Sequence, residues 1–480
     1  MQAARNGAVM IGPVKKTWTA WHEGHEGAAR QLLTQAMTQS AQFDAADWQA
    51  VGYLRIEMEQ AEAALSALNE SARMDGTMAE TYLLRGVAQR RLGAFDQAVL
   101  DYENALRLRP GWPDAINNLA ITLEECGRYD EAIRHLTIGL KQHPRDVDLW
   151  NELGSCLCSA QRSEEALQAF RKACEIDPSF APMRWNLATA LLQARKFDQG
   201  WQMFEERLKL LPGITAPECP APMWDGQPLA GRTLLVWHEQ GLGDTIQFAR
   251  YLRPLIADGA KIVLRAPKEL RRLFSRVQGL EAVITPEQIP PRCDFQTPIL
   301  SLPRFLWKEH GYSATERLFG SEFERRPESG EKLRVGLVWA GSPDHPDDAR
   351  RSLAFEEVLP LLSLPGIEWV NLQRGVPQPA AAPPAPALTD FDETAQQVST
   401  LDVLVSCDTA TAHLAGSLGV PTLLLLSFAA DWRWGEHRQD TGWYPHHTLL
   451  RQSKPGDWSG VIAAAAEKLR KLSPRPAAHT

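Results

Sequence analysis

Cysteine is scarce in this chain, with seven in 480 residues, an odd number and no Cys-x-x-Cys spacing. That excludes a disulfide-framed fold and the common zinc ribbons. Cys156 and Cys158 stand two apart on a helical stretch, which suits neither zinc nor a disulfide, so the cysteines read as buried thiols of a reducing compartment. Net positive charge is lacking too. Lys and Arg number 51 against 59 Asp and Glu, a balance of −8, which argues against a surface that grips nucleic acid or anionic lipid and leaves room only for a local basic cleft. No apolar run approaches the roughly 20 residues that a bilayer span needs. The opening stretch MQAARNGAVMIGPVKK has too short an apolar segment for a secretory signal. The expectation is a cytoplasmic protein with no membrane span and no nucleic-acid partner. Hydrophobic residues are not lacking, at 44%, and the length exceeds what one core supports, so two or three domains are expected.

What is present in the first half is a period. Pro110, Pro144, Pro178 and Pro212 are each 34 residues apart. Gly86, Ala120, Gly154 and Ala188 keep the same step, as do Ala98, Ala132, Ala166 and Gly200, and the large residues Tyr102, Leu136, Phe170 and Phe204. Small residues at one phase let two helices approach, large ones fill the space beside them, and proline ends the second helix of each pair. These columns, with LGSCL, EEAL, AF and DP in their places, resemble the tetratricopeptide repeat. A weaker copy begins at Trp48, with Gly52 and Ala64 in phase and Gly76 where proline would stand. The reading is about five repeats over 45–214, preceded by a helical segment at 1–44. The resemblance implies a concave face that takes an extended peptide or protein partner; the alternative is a brace for the rest of the chain.

Composition changes in LPGITAPECPAPMWDGQPLAG, which reads as a linker at 215–228. Beyond it, apolar strands alternate with helices: RTLLVW, then AKIVLRA, and after a second start LRVGLVWAG, IEWVNLQ and DVLVS. This order argues for parallel sheets covered on both faces, in two successive lobes at 229–330 and 331–472, with a tail at 473–480. Ligands of such sheets bind beyond the carboxyl ends of the strands. There, SCDTATAHLAGSLGVPTLLLL gives a strand, a helix with Thr409 at its cap position and Gly419 past its end, and a second strand after Pro421. In GLGDTIQ, Gly241 and Gly243 are expected to permit a tight turn, with Asp244 at a helix start, either as a cap or facing the cleft.

Five stretches together, EQGLGDTIQFARYL, GLVWAGSPDHPDDARRSL, LQRG, CDTATAHLAGSLGVPT and DWRWGEHRQDTGWYP, resemble the heptosyltransferase-like group of GT-B glycosyltransferases (glycosyltransferase family 9). The narrower likeness is to bacterial proteins that join tetratricopeptide repeats to such a domain, from about Trp48 to Leu472. The fold class so implied is α + α/β, a repeat solenoid followed by two Rossmann-like lobes. The resemblance implies that Asp408, Thr409 and His413 contact a nucleotide-sugar donor, with the amides of Ala410, Thr411 and Ala412 toward its diphosphate. Ala410 departs from the glycine usual in the group. The local alternative is that Asp408 and Thr409 only cap the helix and His413 packs beneath it.

The aspartate of the group's Gly-Asp pair is the proposed base, which maps to Asp244, with Glu239 and His238 in reserve. Gln240, Gly241 and Gly243 complete an acceptor-side loop with Glu239. Arg351, ahead of Arg350, is expected to meet the diphosphate charge, and Gln373 and Arg374 the nucleotide. DFDE at 390–393 suggests a metal pair, but it introduces a helix and the group works without metal, so no metal and no cofactor are expected; the nucleotide-sugar is a substrate. The aromatics of DWRWGEHRQDTGWYP line a pocket or close the last helix over the first lobe. The implied function is sugar transfer to a protein or peptide acceptor held by the repeats. The alternatives are a lipid or oligosaccharide acceptor, or a scaffold that has lost catalysis.

Overall fold

The computed structural model describes residues 10, 12–210, 214, 216–312, 318–319, 323 and 332–472. Pro212, the 330/331 junction and the 473–480 tail lie outside the described residues. The chain divides into two compact units, Met1–Ser179 and Phe180–Thr480.

The first unit is a run of helix pairs. Gly12–His22 and Glu26–Met37 come first, and Val14, Ala29 and Leu33 share a core with Ala50, Val51 and Leu54 of the next pair. Four pairs in the 34-residue phase follow, from Ala45–Glu57 with Ala61–Met74 to Val147–Ser159 with Ser163–Ile176. The small and large columns turn out to be direct partners. A Cβ on Gly86 would lie 2.6 Å from the Tyr102 ring, one on Gly154 2.5 Å from Phe170, and one on Gly52 2.4 Å from Leu68.

Each first helix ends in the same way. Glu59, Gly93, Gly127 and Gln161 take left-handed backbone with φ of 61°, 73°, 73° and 58°. The next amide reaches back around the turn, Gln60 to Arg55 O, Ala94 to Gln89 O, Arg128 to Leu123 O and Arg162 to Leu157 O. This is the Schellman closure of a helix end. Only two of the four positions are glycine, so the column is not visible as a glycine repeat.

The second unit begins with one more pair, Ala181–Gln193 and Phe197–Phe204. The repeat phase runs through it, with Arg195 left-handed at φ 60°. Its packing, however, belongs to the α/β region, because Trp201 and Phe204 lie in one core with Phe248, Trp432 and Trp443. The repeats predicted to reach 214 are thus divided between the units at Ser179. The segment predicted as a linker is also packed down. Met223 pairs with Gln296, whose amide donates to Cys219 O and Ala221 O, and Trp224 is buried.

Two parallel sheets follow. The first has β1 (Thr233–Trp237), β2 (Lys261–Arg265), β3 (Leu280–Ile284) and β4 (Phe295–Pro298), in the order β3-β2-β1-β4. The second has β5 (Leu333–Val338), β6 (Ile367–Asn371), β7 (Val403–Cys407), β8 (Thr422–Leu426) and β9 (His447–Arg451), in the order β6-β5-β7-β8-β9. Every residue of β7 and β8 is buried, as apolar strands covered on both faces must be. Strand order reverses beside β1 in one sheet and between β5 and β7 in the other. The helix Ser459–Leu472 packs on the second lobe, against Val358, Leu425 and Leu450, rather than over the first as one reading had it. Its apolar face, Val461, Ile462, Ala465 and Leu469, matches that sheet.

Candidate functional site

Both reversals open on one cleft of about 520 Å³. Its walls are the segments that follow β1 (Gln240–Asp244), β5 (Gly341–Arg351), β6 (Leu372–Gly375), β7 (Asp408–Thr411) and β8 (Ser427–Arg433). Parallel sheets offer ligands such a crevice at the carboxyl ends of strands where the order switches.

Below it sits the helix Ala410–Leu418. Thr409 precedes it in extended backbone, and Gly419 ends it in left-handed backbone at φ 70°. Thr409 makes no side-chain cap; its hydroxyl lies 3.1 Å from that of Ser406. The Ala412 and His413 amides donate to Thr409 O, so the helix's open donors are those of Ala410 and Thr411 rather than all three amides expected. Asp408 Oδ2 accepts from the Trp434 indole at 2.7 Å. Burial, and then the like charge of Asp431, push its carboxyl up to about 6 despite that bond and the nearby Arg433 and Arg351. His413 lies beneath, its Nδ1 2.9 Å from the Tyr444 hydroxyl and its Nε2 3.7 Å from Asp408 Oδ1. Burial and then Arg433 hold this imidazole well below its ordinary pKa, so it is neutral at pH 7.

Across the cleft, Asp244 caps its own turn, accepting the Gly241 amide at 3.0 Å through Oδ2. Its Oδ1 takes an ion pair from Arg433 Nη2 of the other lobe. The tight turn expected of the glycines falls instead on Gln240, which is left-handed at φ 60°. Gly243 is needed for approach: a Cβ there would lie 2.8 Å from His413 Cδ2 and 3.3 Å from Ala410 Cα.

Arg351 also reaches the cleft, with Nη1 donating to Asp408 O at 3.2 Å and Nε 3.5 Å from Asp348. Arg350 pairs with Asp347.

Three expected residues do other work. Glu239 points away from the cleft into the first lobe, where its carboxylate meets Arg207 at 2.6 Å and accepts the Leu300 amide. Burial raises its pKa while Arg207 opposes the shift. With both side chains fully buried, Glu239 is a structural anchor and no reserve base. His238, the other reserve, has Nδ1 2.6 Å from the Thr245 hydroxyl, and burial lowers its pKa. Gln373 borders the cleft, but its amide is tied to backbone: Oε1 accepts from Trp339 and Ala340, and Nε2 donates to Ala340 O and Arg374 O. It shapes the loop after β5 and leaves no amide atom for a nucleotide.

The DFDE acids are engaged as well. Asp390 caps the helix Phe391–Ser399 and meets Arg272 at 3.0 Å, while Asp392 pairs with Arg276 and Arg272 of the first lobe. They clasp the lobes together. The aromatics Trp432, Trp434, Trp443 and Tyr444 of the DWRW stretch all belong to the core, and Trp434 and Tyr444 also hold Asp408 and His413. The residue that sequence reasoning passed over is Arg433. Its signal was slight, a lone cation among aromatics, beside the acids Asp431 and Glu436.

Comparison with known proteins adds the following. The tetratricopeptide repeat family matches residues 52–115 and 117–179. The Protein FlbA of Caulobacter vibrioides is 25% identical over 303 residues, 53% of this chain and 49% of that protein. The match thus spans about half the relative's length. Among solved structures, YrrB, described as a TPR protein with an unusual peptide-binding site, is 20% identical, with a TM-score of 0.31, over 38% of this chain and 93% of its own. MamA from Desulfovibrio magneticus RS-1 is 22% identical, with a TM-score of 0.32, over 36% of this chain and 97% of its own. No helix among the described residues is long and apolar enough to cross a membrane. The amino-terminal region of this chain is built of tetratricopeptide repeats, and an α/β region with two parallel sheets follows it.

Proposed function

We propose that the second unit is a glycosyltransferase, moving a sugar from a nucleotide-sugar to a hydroxyl of an acceptor, and that the repeats recruit a protein acceptor along their concave face. The observation that carries this reading is the meeting of Asp244, Arg351 and the start of the helix Ala410–Leu418 in one cleft at the switch points of two sheets. A diphosphate suits the second-lobe side, where the open amides of Ala410 and Thr411, the helix dipole and the Arg351 fork all favour anions. The sugar then lies toward Asp408, and the acceptor toward the Gln240–Asp244 turn.

The chemistry asks for one proton acceptor. As the acceptor oxygen bonds to the anomeric carbon, the bond from that carbon to the diphosphate oxygen breaks and its electron pair leaves on the diphosphate. The hydroxyl proton passes to the carboxylate of Asp244. Cations and helix amides stabilise the departing charge without a metal ion.

Thermal-shift screening against nucleotide-sugars identifies the donor, since a ligand that binds the native state raises its melting temperature. With that donor, Asp244→Asn is expected to lower turnover by about 10²–10⁴-fold, the usual share of general-base catalysis. Turnover near the parent's would remove Asp244 as base, and a screen in which no nucleotide-sugar shifts the melting temperature would count against the whole reading.

A further inference from the structure

Arg433 stands at the centre of the cleft's charges. Its side chain is only 10% exposed, between Trp432 at 4.4 Å and Phe248 at 5.7 Å from their ring centroids. Nε donates to Gln247 Oε1 at 2.8 Å, Nη1 to Asp431 Oδ1 at 2.9 Å, and Nη2 pairs with Asp244 Oδ1. Burial works against the cation, and Asp431 and Asp244 more than offset it. Asp408 adds a third acid to the same surroundings.

A cleft with three acids around one buried arginine is poorly suited to an incoming diphosphate unless a carboxylate gives way. Asp431 is two residues away on the arginine's own turn and also accepts the Arg433 amide, so it is fixed locally. Asp431 takes the Arg433 amide and guanidinium on one oxygen, Oδ1, whereas Asp244, from the other lobe, keeps its local Gly241 cap on Oδ2 and meets Arg433 with Oδ1 alone. Asp244 is the partner able to leave.

We propose that Arg433 is a phosphate-binding residue for whose fork Asp244 and the diphosphate compete. This rests on the diphosphate seat proposed above and adds an order of events. An anionic diphosphate displaces the Asp244 carboxylate from Arg433, and the released carboxylate is then free to accept the acceptor's proton. Donor binding thus activates the base, and an acceptor that arrives first meets an aspartate already paired.

The test uses inorganic pyrophosphate, titrated by calorimetry into the full chain, so no turnover is needed. Arg433→Gln is expected to weaken binding by about tenfold or more, the effect of losing a charged hydrogen bond. Asp244→Asn is expected to tighten binding several-fold, and that gain should vanish in the Asp244→Asn/Arg433→Gln double variant, because the two act through one contact. Arg433→Lys, which keeps the charge and loses the fork, should fall between parent and Arg433→Gln, and it serves if the glutamine variant does not fold. Equal affinity in parent and both Arg433 variants would overturn the proposal. So would an Asp244→Asn gain that persists without Arg433, since that is plain charge repulsion. A parent that binds no pyrophosphate would overturn the diphosphate seat itself and, with it, the proposed function.

Discussion

In the unit Met1–Ser179, ion pairs join residues one turn apart, as Arg128–Glu131, Arg162–Glu165 and Lys172–Glu175, or residues of adjacent helices, as Arg85–Asp101 and Arg90–Glu125. In Phe180–Thr480 the central pairs cross the fold: Arg207–Glu239, Arg276–Asp392 and Arg433–Asp244. A repeat meets only its neighbours, so its stability is a sum of local terms. An open α/β sheet brings distant segments together, and buried charges there need partners from elsewhere in the chain. The lesson is that loss of one charge should be nearly silent at the half-exposed one-turn pairs of the first unit and severe at the buried long-range pairs of the second.

The largest stability contrast tests this directly. Arg207→Met leaves the Glu239 carboxylate buried without its cation, since both side chains are fully covered. Breaking such a pair costs about 3–5 kcal/mol, and replacing both members by apolar residues recovers most of it. Arg162→Met in the repeats removes a half-exposed pair worth less than about 1 kcal/mol. Urea denaturation of the two variants, and of Arg207→Met/Glu239→Leu, measures the difference. Similar losses for Arg207→Met and Arg162→Met would erase the distinction between the units.

A smaller effect runs in the opposite direction. Asp408 has a carboxyl pushed up to about 6 from an ordinary 3.8, first by burial. The folded state therefore holds this proton more tightly than the unfolded chain. Its contribution favours folding below about pH 4 and is lost as pH rises through about 6. At pH 7 the ionised carboxylate costs about 2–3 kcal/mol, from about two pKa units. Asp408→Asn, still able to accept from Trp434, is expected to be more stable than the parent at pH 7 and no more stable at pH 4. Unfolding at both pH values measures it; a variant less stable at pH 7 would show that the carboxylate is stabilising there.

The same contrast governs what could be read from sequence. The repeat columns were legible because one packing problem recurs: Gly86 against Tyr102 and Gly154 against Phe170. The strand, helix and strand around Thr409 and Gly419 were legible for a local reason, since caps and buried strands have residue signatures. That Asp244, Arg351 and Asp408 share one cleft is what the resemblance to the heptosyltransferase-like group implies, and all three line it. The partners could not be read. Nothing near Glu239 in the chain announces Arg207, 32 residues earlier, and nothing near Asp244 announces Arg433, 189 residues later. Nor does the end of a repeat phase tell where packing changes hands, because Trp201 keeps the phase while its ring joins the α/β core.

One repeated feature escaped the sequence even in the first unit, and it gives the finest test of local additivity. Glu59, Gly93, Gly127 and Gln161 share the left-handed turn that closes each first helix. A side chain there carries about 1–2 kcal/mol of backbone strain, against about 0.5–1 kcal/mol of extra chain entropy lost when glycine is fixed. Glu59 is exposed, so Glu59→Gly changes little besides this balance and is expected to stabilise by up to about 1 kcal/mol. At the matching phase, a Cβ on Gly93 would meet nothing within 4 Å, so Gly93→Ala should destabilise by a similar amount through strain alone. If turns of neighbouring repeats act independently, the shifts of the two variants cancel in the double variant within about 0.3–0.5 kcal/mol. Thermal unfolding of the three chains decides the matter. A double variant far from the parent would mean that the strain at one turn is shared with the next, and that the repeats are less local than their ion pairs suggest.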